Sequence, residues 1–113
     1  MRIADLGSAI KLQSADATTN FMIGTPGYLA PEVMTGKNYS FSADIWSIGA
    51  LMHALVTAKL PFYSSSRKEL KRRVCTEPLD LETDALLRRL SEPVKDLLNG
   101  LLRKDPSERL TAD

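Results

Sequence analysis

The chain has 113 residues, enough for one domain, and its hydrophobic fraction of 43% is ordinary for a soluble globular protein. Its net charge of +1 indicates neither a basic nucleic-acid-binding surface nor an acidic tail, so we expect no nucleic-acid partner. Cys75 is the only cysteine, which excludes an intrachain disulfide. Without a signal sequence or an apolar run of membrane length, the sequence predicts a soluble intracellular protein, cytoplasmic or nuclear, with no membrane partner.

The first part of the chain predicts a short strand, a loop and a turn. Residues 2–4 are typical of a strand that ends at Asp5-Leu6-Gly7, where the glycine permits a sharp change of direction. Residues 14–20 are small and polar without periodicity, which indicates a mobile loop. Residues 24–27, Gly-Thr-Pro-Gly, are dense in turn formers and predict a tight, irregular backbone segment.

Residues 42–58 carry the clearest helical signal. Ser42 is a suitable cap, and Asp44 suits the positive end of the helix dipole. Beyond them the side chains are apolar on nearly every side, yet the segment is too short to span a bilayer. We therefore expect a helix buried in a core larger than the remaining helices supply, which predicts that part of the domain is missing. His53 has no partner cluster and is predicted to be a core residue.

The second half predicts a charged helix and then a short one. Residues 64–76 form the charged helix and contain a basic cluster at residues 67–73. That cluster is either a solvated helix face or a docking patch for acidic partners. Asp84 can cap the short helix, which extends to Leu90.

A third helix begins after Ser91, a suitable cap, and is expected to end at Asp105-Pro106, because the residue before a proline disfavours helical geometry. A further helix is predicted to begin at residues 111–113. The third helix has an apolar stripe with helical spacing, formed by Val94, Leu97, Leu98, Leu101 and Leu102.

Four motifs, in order along the chain, resemble those of eukaryotic-type protein kinases. Asp5-Leu6-Gly7 resembles the magnesium-binding Asp-Phe-Gly motif. Residues 24–32, Gly-Thr-Pro-Gly-Tyr-Leu-Ala-Pro-Glu, resemble the end of the activation segment. Residues 44–49, Asp-Ile-Trp-Ser-Ile-Gly, are similar to the start of the central helix of the large lobe, and residues 102–109 resemble the closing motif of the family. The Gly-Thr-Pro-Gly-Tyr run is nearest to the calmodulin-dependent kinase group.

This resemblance implies a mainly α fold, the partial large (C-terminal) lobe of a serine/threonine protein kinase over residues 1–113. It implies an activation segment, a buried central helix, three peripheral helices and the start of a fourth. In the intact parent it implies transfer of the γ-phosphate of ATP to serine or threonine of protein substrates, with Mg²⁺ as the metal cofactor.

The resemblance also assigns roles to individual residues. Asp5 becomes a catalytic residue and the Mg²⁺ ligand that helps to bind the nucleotide. Thr25 corresponds to the threonine that contacts the catalytic aspartate in serine/threonine kinases. The substrate floor, which receives the residue after the phosphoacceptor, consists of Gly24, Thr25, Pro26, Gly27 and Tyr28.

Five further residues are implied to be structural. Glu32 and Arg109 are expected to form a buried ion pair that fixes the activation segment onto the lobe. Asp44 is expected to steady the backbone of the catalytic loop. Trp46 and Gly49 belong to the central-helix motif, and Trp46 is interpreted as a core residue.

Several positions depart from the family pattern. Leu6 replaces the usual phenylalanine, and Phe21 occupies the position where many kinases carry an activating phosphothreonine. Thr18 and Thr19 are therefore the candidate phosphorylation sites, because a phosphate on either could order the loop through an arginine. Ala54 stands where basic-directed kinases often have a glutamate, which argues against a preference for basic substrates.

The sequence contains no glycine-rich phosphate loop, no early-strand lysine motif and no His-Arg-Asp catalytic loop. We therefore expect the N-lobe and the catalytic loop to be absent from residues 1–113, and the chain alone to be inactive. Three interpretations stay open: part of an active kinase, a pseudokinase or scaffold lobe that binds partners without catalysis, or a truncated product without a stable fold.

Overall fold

The structure is a computed structural model, which describes residues 2–14 and 17–113. Helices make up the regular structure of that part of the chain, so the predicted mainly α fold is confirmed. Two single-turn 3₁₀ helices come first, at Leu6–Ser8 and Pro26–Tyr28. The α-helices follow in chain order: α1 at Pro31–Met34, α2 at Ser42–Thr57, α3 at Arg67–Thr76, α4 at Ala85–Arg88 and α5 at Glu92–Leu101.

The strand predicted at residues 2–4 is wrong. These residues are exposed, and no neighbouring segment pairs with them in the described part of the chain. A strand needs such a partner for its backbone hydrogen bonds. The one β-type pairing among the described residues is an isolated antiparallel bridge between Thr19 and Tyr39. The loop predicted at residues 14–20 includes residues 15 and 16, which lie outside the described residues.

Helix α2 is the centre of the fold, as predicted, but it is buried on one side only. Its inward face includes Trp46 and His53, and the Nδ1 atom of His53 lies 2.8 Å from the carbonyl oxygen of Lys59. Its opposite face leaves Leu55 75% exposed, together with Ile48 and Leu51. Helix α4, helix α5 and the second 3₁₀ helix all pack against α2 without enclosing it, which agrees with the expectation that its full cover needs more than the remaining helices supply.

Two clusters of apolar side chains form the core. In the larger cluster Trp46 stacks on Phe62, with ring centroids 5.9 Å apart and an interplanar angle of 17°. Its other buried members come from the residue before α1, from α1, α2 and α3, and from the residue after α5: Ala30, Val33, Met34, Ala43, Leu70, Val74 and Leu102. The smaller cluster joins α4 to α5 through Leu81, Leu87 and Leu98.

Helix α5 approaches α2 closely at Gly49. A Cβ atom at this position would lie 2.9 Å from Leu101 Cβ and 2.9 Å from Leu102 Cγ, closer than real Cβ contacts. The α2–α5 packing therefore requires a glycine here. The predicted apolar stripe of α5 is buried at Leu98, Leu101 and Leu102, whereas Leu97 is exposed.

The helix ends differ from the predictions in detail. Helix α3 begins at Arg67 rather than residue 64, because the Ser66 side chain accepts a hydrogen bond from the Glu69 amide at 3.4 Å. Asp84 caps α4 as expected, accepting from the Leu86 amide at 2.8 Å, but α4 already ends at Arg88. Ser42 lies inside α2, with Phe41 at the cap position.

The end of the chain also differs. Ser91 precedes α5 without a side-chain cap, and this helix ends at Leu101, four residues before Asp105. Residues 111–113 are not helical. In residues 2–14 and 17–113, no helix is both long and apolar enough to cross a bilayer.

Candidate functional site

The Arg109 guanidinium joins three parts of the chain. It donates two nearly parallel hydrogen bonds to Glu32, with Nη1 2.7 Å from Oε1 and Nη2 3.0 Å from Oε2. It also donates to the carbonyl of Ser42 at 2.6 Å and to that of Arg103 at 3.0 Å. The Arg109 side chain is 0% exposed and that of Glu32 is 4% exposed. The ion pair predicted from the motifs is therefore present, and it ties α1 and the start of α2 to the C-terminal turn.

Residues 24–28, the predicted substrate floor, form a turn that packs on α2; residues 24–26 are exposed, whereas Gly27 and Tyr28 are half-buried. Gly24 has a φ of 130°, which side-chain-bearing residues rarely adopt. The Tyr28 amide donates to the Thr25 carbonyl at 2.9 Å and closes the turn. From α2, the Ser47 hydroxyl donates to the Tyr28 carbonyl at 2.9 Å. Ser47 was not singled out from the sequence, although its place in the central-helix motif was a usable signal.

Gly27 allows the floor to lie close to the segment that follows α2. A Cβ atom on Gly27 would come within 2.3 Å of Leu60 Cδ1, a distance that no real contact shows. The floor therefore lies close to Leu60, and the Ser47 hydroxyl holds it from α2.

Asp5 lies at the start of the first 3₁₀ helix with left-handed backbone angles, φ 59° and ψ 73°. Its carboxylate is exposed and accepts one long hydrogen bond, 3.4 Å, from the Gly7 amide. Its remaining oxygen lone pairs are therefore available to a ligand. No group of three or more metal-ligating side chains occurs within residues 2–14 and 17–113, so Asp5 could supply only part of a metal site.

The other predicted site residues are not gathered around Asp5. Thr25 is exposed and makes no side-chain hydrogen bond within the described chain. Asp44 is exposed near the start of α2 and lines a cavity of about 310 Å³, which neither Asp5 nor Thr25 lines. The roles predicted for Asp5, Thr25 and Asp44 stay predictions.

The segment before the floor is fastened by Tyr39, a residue that the sequence did not indicate. Thr19 and Tyr39 exchange backbone hydrogen bonds of 2.9 and 2.8 Å. The Tyr39 hydroxyl also donates to the Phe21 carbonyl at 2.6 Å. Phe21, at the position expected for a phosphothreonine, is therefore held through its backbone. Thr18 is exposed and Thr19 is half-buried, and their phosphorylation stays a prediction.

Lys104 lies in the closing motif with its ammonium group over two aromatic rings. Its Nζ atom is 3.5 Å from the Phe62 centroid and 5.0 Å from the Trp46 centroid, and it makes no hydrogen bond to the described residues. Burial lowers the pKa of Lys104 to about 8. The rings act in the opposite direction, because a ring face attracts a cation.

The charges of α3 divide into two sets. Glu69 bonds Arg72 at 2.7 Å and Arg73 at 3.1 Å, and these guanidiniums lower the pKa of the Glu69 carboxyl to about 2. Arg67 and Lys71 lie one turn apart and form no ion pair with any described carboxylate. They border a small cavity beside the floor, of about 30 Å³, whose lining is Met22, Pro26, Leu29, Met34, Arg67 and Lys71.

Comparisons with known proteins agree with this geometry. The protein kinase domain model matches residues 1–113. The chain is 36% identical to human "Rhodopsin kinase GRK1" over 97% of this chain and 19% of that protein. It is 40% identical to the Arabidopsis thaliana "Serine/threonine-protein kinase ATG1b" over 98% of this chain and 15% of that protein. It is 36% identical to the Arabidopsis thaliana "Calcium-dependent protein kinase 25" over 99% of this chain and 21% of that protein.

The helical lobe, with its buried glutamate–arginine pair, is a partial protein-kinase large lobe of the serine/threonine type. The chain belongs to the protein kinase family. It spans about a fifth of the length of the curated relatives it matches. Those relatives have names from several kinase groups, so the calmodulin-dependent grouping stays a prediction.

Proposed function

We propose that residues 1–113 form part of the catalytic domain of an active serine/threonine protein kinase. The complete protein would transfer the γ-phosphate of ATP to serine or threonine side chains of protein substrates. The N-lobe and the catalytic loop would be supplied by sequence outside this segment, because their motifs do not occur within it. The chain alone would therefore transfer no phosphate.

The observation that carries this proposal is that side chains of α2 and of the C-terminal turn fix the position of the floor. Ser47 holds the Tyr28 carbonyl at 2.9 Å, and Arg109 holds Glu32, four residues further along, by two hydrogen bonds. Phosphoryl transfer depends mainly on positioning and on electrostatic stabilisation, so a substrate surface must be fixed relative to the phosphate donor. A floor that is held at its C-terminal end by these two contacts meets that need.

Asp5 fits the proposed role in magnesium binding. Mg²⁺ prefers hard oxygen ligands and is usually held by one or two carboxylates together with substrate phosphates. The exposed Asp5 carboxylate, with a single weak hydrogen bond, has oxygens free for such an ion. When bound, Mg²⁺ would neutralise charge on the phosphates of ATP.

The test is phosphorylation of a serine/threonine peptide library by the full-length protein with Mg²⁺ and ATP. We expect transfer by the wild type and a loss of about 100-fold or more for Asp5→Asn, since losing a charge interaction at the phosphates costs several kcal/mol. Asp96→Asn, an exposed aspartate on α5, is the matched control and should keep full activity.

A wild-type protein that binds partners but transfers no phosphate would favour the pseudokinase or scaffold alternative, which has no specific observation in its support. Full activity of the Asp5→Asn variant would contradict the magnesium role.

A further inference from the structure

The cavity beside the floor combines an apolar base with a basic border. Its base is formed by Met22, Pro26, Leu29 and Met34. On one side, Arg67 and Lys71 line it from the first turns of α3. Residues four apart lie on the same face of a helix, so both cations project towards the same border.

These two cations differ from the neighbouring arginines of the same helix. Arg72 and Arg73 are neutralised by Glu69 and Glu77, at distances of 2.7 to 3.8 Å. Arg67 instead contacts Met22, with its Nη2 atom 3.4 Å from the sulfur, and this contact leaves its charge unbalanced. Among the described residues, no carboxylate lies within ion-pair distance of Arg67 or Lys71.

We propose that Arg67 and Lys71 select protein substrates with acidic side chains shortly after the phosphoacceptor. This inference rests on the proposed function. The residue after the phosphoacceptor would lie on the floor, and a substrate that continues in an extended conformation advances about 3.3 Å per residue. The next two or three side chains then reach the border formed by α3, where aspartate, glutamate or a phosphorylated residue would meet both cations.

The basic cluster of α3 is thereby divided by role. Arg72 and Arg73 stabilise the helix through intrahelical ion pairs, whereas Arg67 and Lys71 recognise the substrate. Exposed ion pairs contribute about 0.2–1 kcal/mol each. Two of them correspond to a preference of roughly twofold to thirtyfold in kcat/KM for acidic over neutral peptides.

The experiment compares peptides that carry alanine, glutamate or lysine at the second to fourth positions after the phosphoacceptor, with the full-length protein as the enzyme. We expect a preference for glutamate that the double variant Arg67→Gln/Lys71→Gln abolishes. Lys71→Glu should also abolish the glutamate preference, because the introduced carboxylate would pair with Arg67 one turn away.

The matched control is Arg88→Gln/Arg89→Gln, which removes two exposed positive charges on and next to α4 that line no part of the cavity. It should keep the glutamate preference. Raising the salt concentration to about 0.5 M should reduce the preference, because exposed charges are screened over a few ångströms.

Failure of this inference and failure of the proposed function give different results. Equal rates on all three peptides, or a preference that survives in Arg67→Gln/Lys71→Gln, would overturn the inference while the kinase assignment stands. If no peptide is phosphorylated, the proposed function fails. Fluorescence anisotropy of the labelled glutamate and alanine peptides on the same proteins then decides whether the two cations recognise acidic peptides.

Discussion

Arg109 and Glu32 are 77 positions apart in the sequence, yet they meet through two hydrogen bonds in the buried centre of the lobe. Removing one member of a buried pair leaves the other charge unpaired, which typically costs about 3–5 kcal/mol. The pair therefore links the segment after the floor to the end of the chain, and neither partner can be removed alone at low cost.

The first prediction concerns this pair. Arg109→Ala should lower the free energy of unfolding of the full-length protein by about 3–5 kcal/mol, measured by urea denaturation of the domain. Arg109→Lys should recover only part of the loss, because an ammonium group cannot make two parallel hydrogen bonds. Arg103→Ala, at an exposed side chain, is the control and should change stability little. Equal urea midpoints for Arg103→Ala and Arg109→Ala would show that the Glu32–Arg109 pair does not stabilise the fold.

The second prediction concerns the close approach of α5 to α2. Gly49→Ala should destabilise the fold by about 1–3 kcal/mol, because its Cβ would overlap Leu101 and Leu102. Leu55→Ala, on the exposed face of the same helix in this chain, is the control and should cost much less when the 113-residue chain is compared by thermal unfolding. A Gly49→Ala variant as stable as the wild type would show that the helices can separate at no cost.

A third prediction concerns the segment before the floor. Tyr39→Phe removes the hydrogen bond to the Phe21 carbonyl, worth about 0.5–1.5 kcal/mol. Hydrogen exchange should then quicken at the amides of Thr19 and Tyr39, which form the adjacent bridge. Tyr63→Phe changes an exposed tyrosine with no hydrogen bond from its hydroxyl to the described residues, and it should leave exchange at these amides as it is.

The fourth prediction concerns the pH dependence of stability that Lys104 contributes. Burial lowers the pKa of Lys104 from 10.5 to about 8. Between these pH values the unfolded state binds more protons than the folded state, so this group makes stability rise with pH. Wild-type protein should therefore gain stability relative to Lys104→Met as the pH rises from about 8 to 10, measured by urea denaturation. A stability difference that changes in the opposite direction would mean that the rings of Phe62 and Trp46 raise the pKa of Lys104 more than burial lowers it.

The sequence could predict those features that depend on local pattern or on the family motifs. The helical character of α2 follows from residues 42–58, and the Glu32–Arg109 contact follows from two motifs whose partners are fixed within the family. The cap at Asp84 follows from the preference of short acidic side chains for helix starts.

Tertiary contacts that are not fixed by a family motif could not be predicted. Tyr39 lies in a short polar segment with no periodicity, and its importance arises from the bridge to Thr19. The cavity beside Arg67 and Lys71 exists because Met22, the floor and α1 lie next to α3 in the folded chain. The exposed face of α2 is apolar like the buried one, so composition alone could not tell the two faces apart.

The most direct test of the central claim is a double-mutant cycle on Glu32→Gln and Arg109→Met, with the free energy of unfolding as the readout. If the buried pair fastens the floor to the lobe, each single change costs several kcal/mol and the double change costs clearly less than their sum, because it leaves no charge unpaired. Additive losses, within about 0.5 kcal/mol, would contradict the claim.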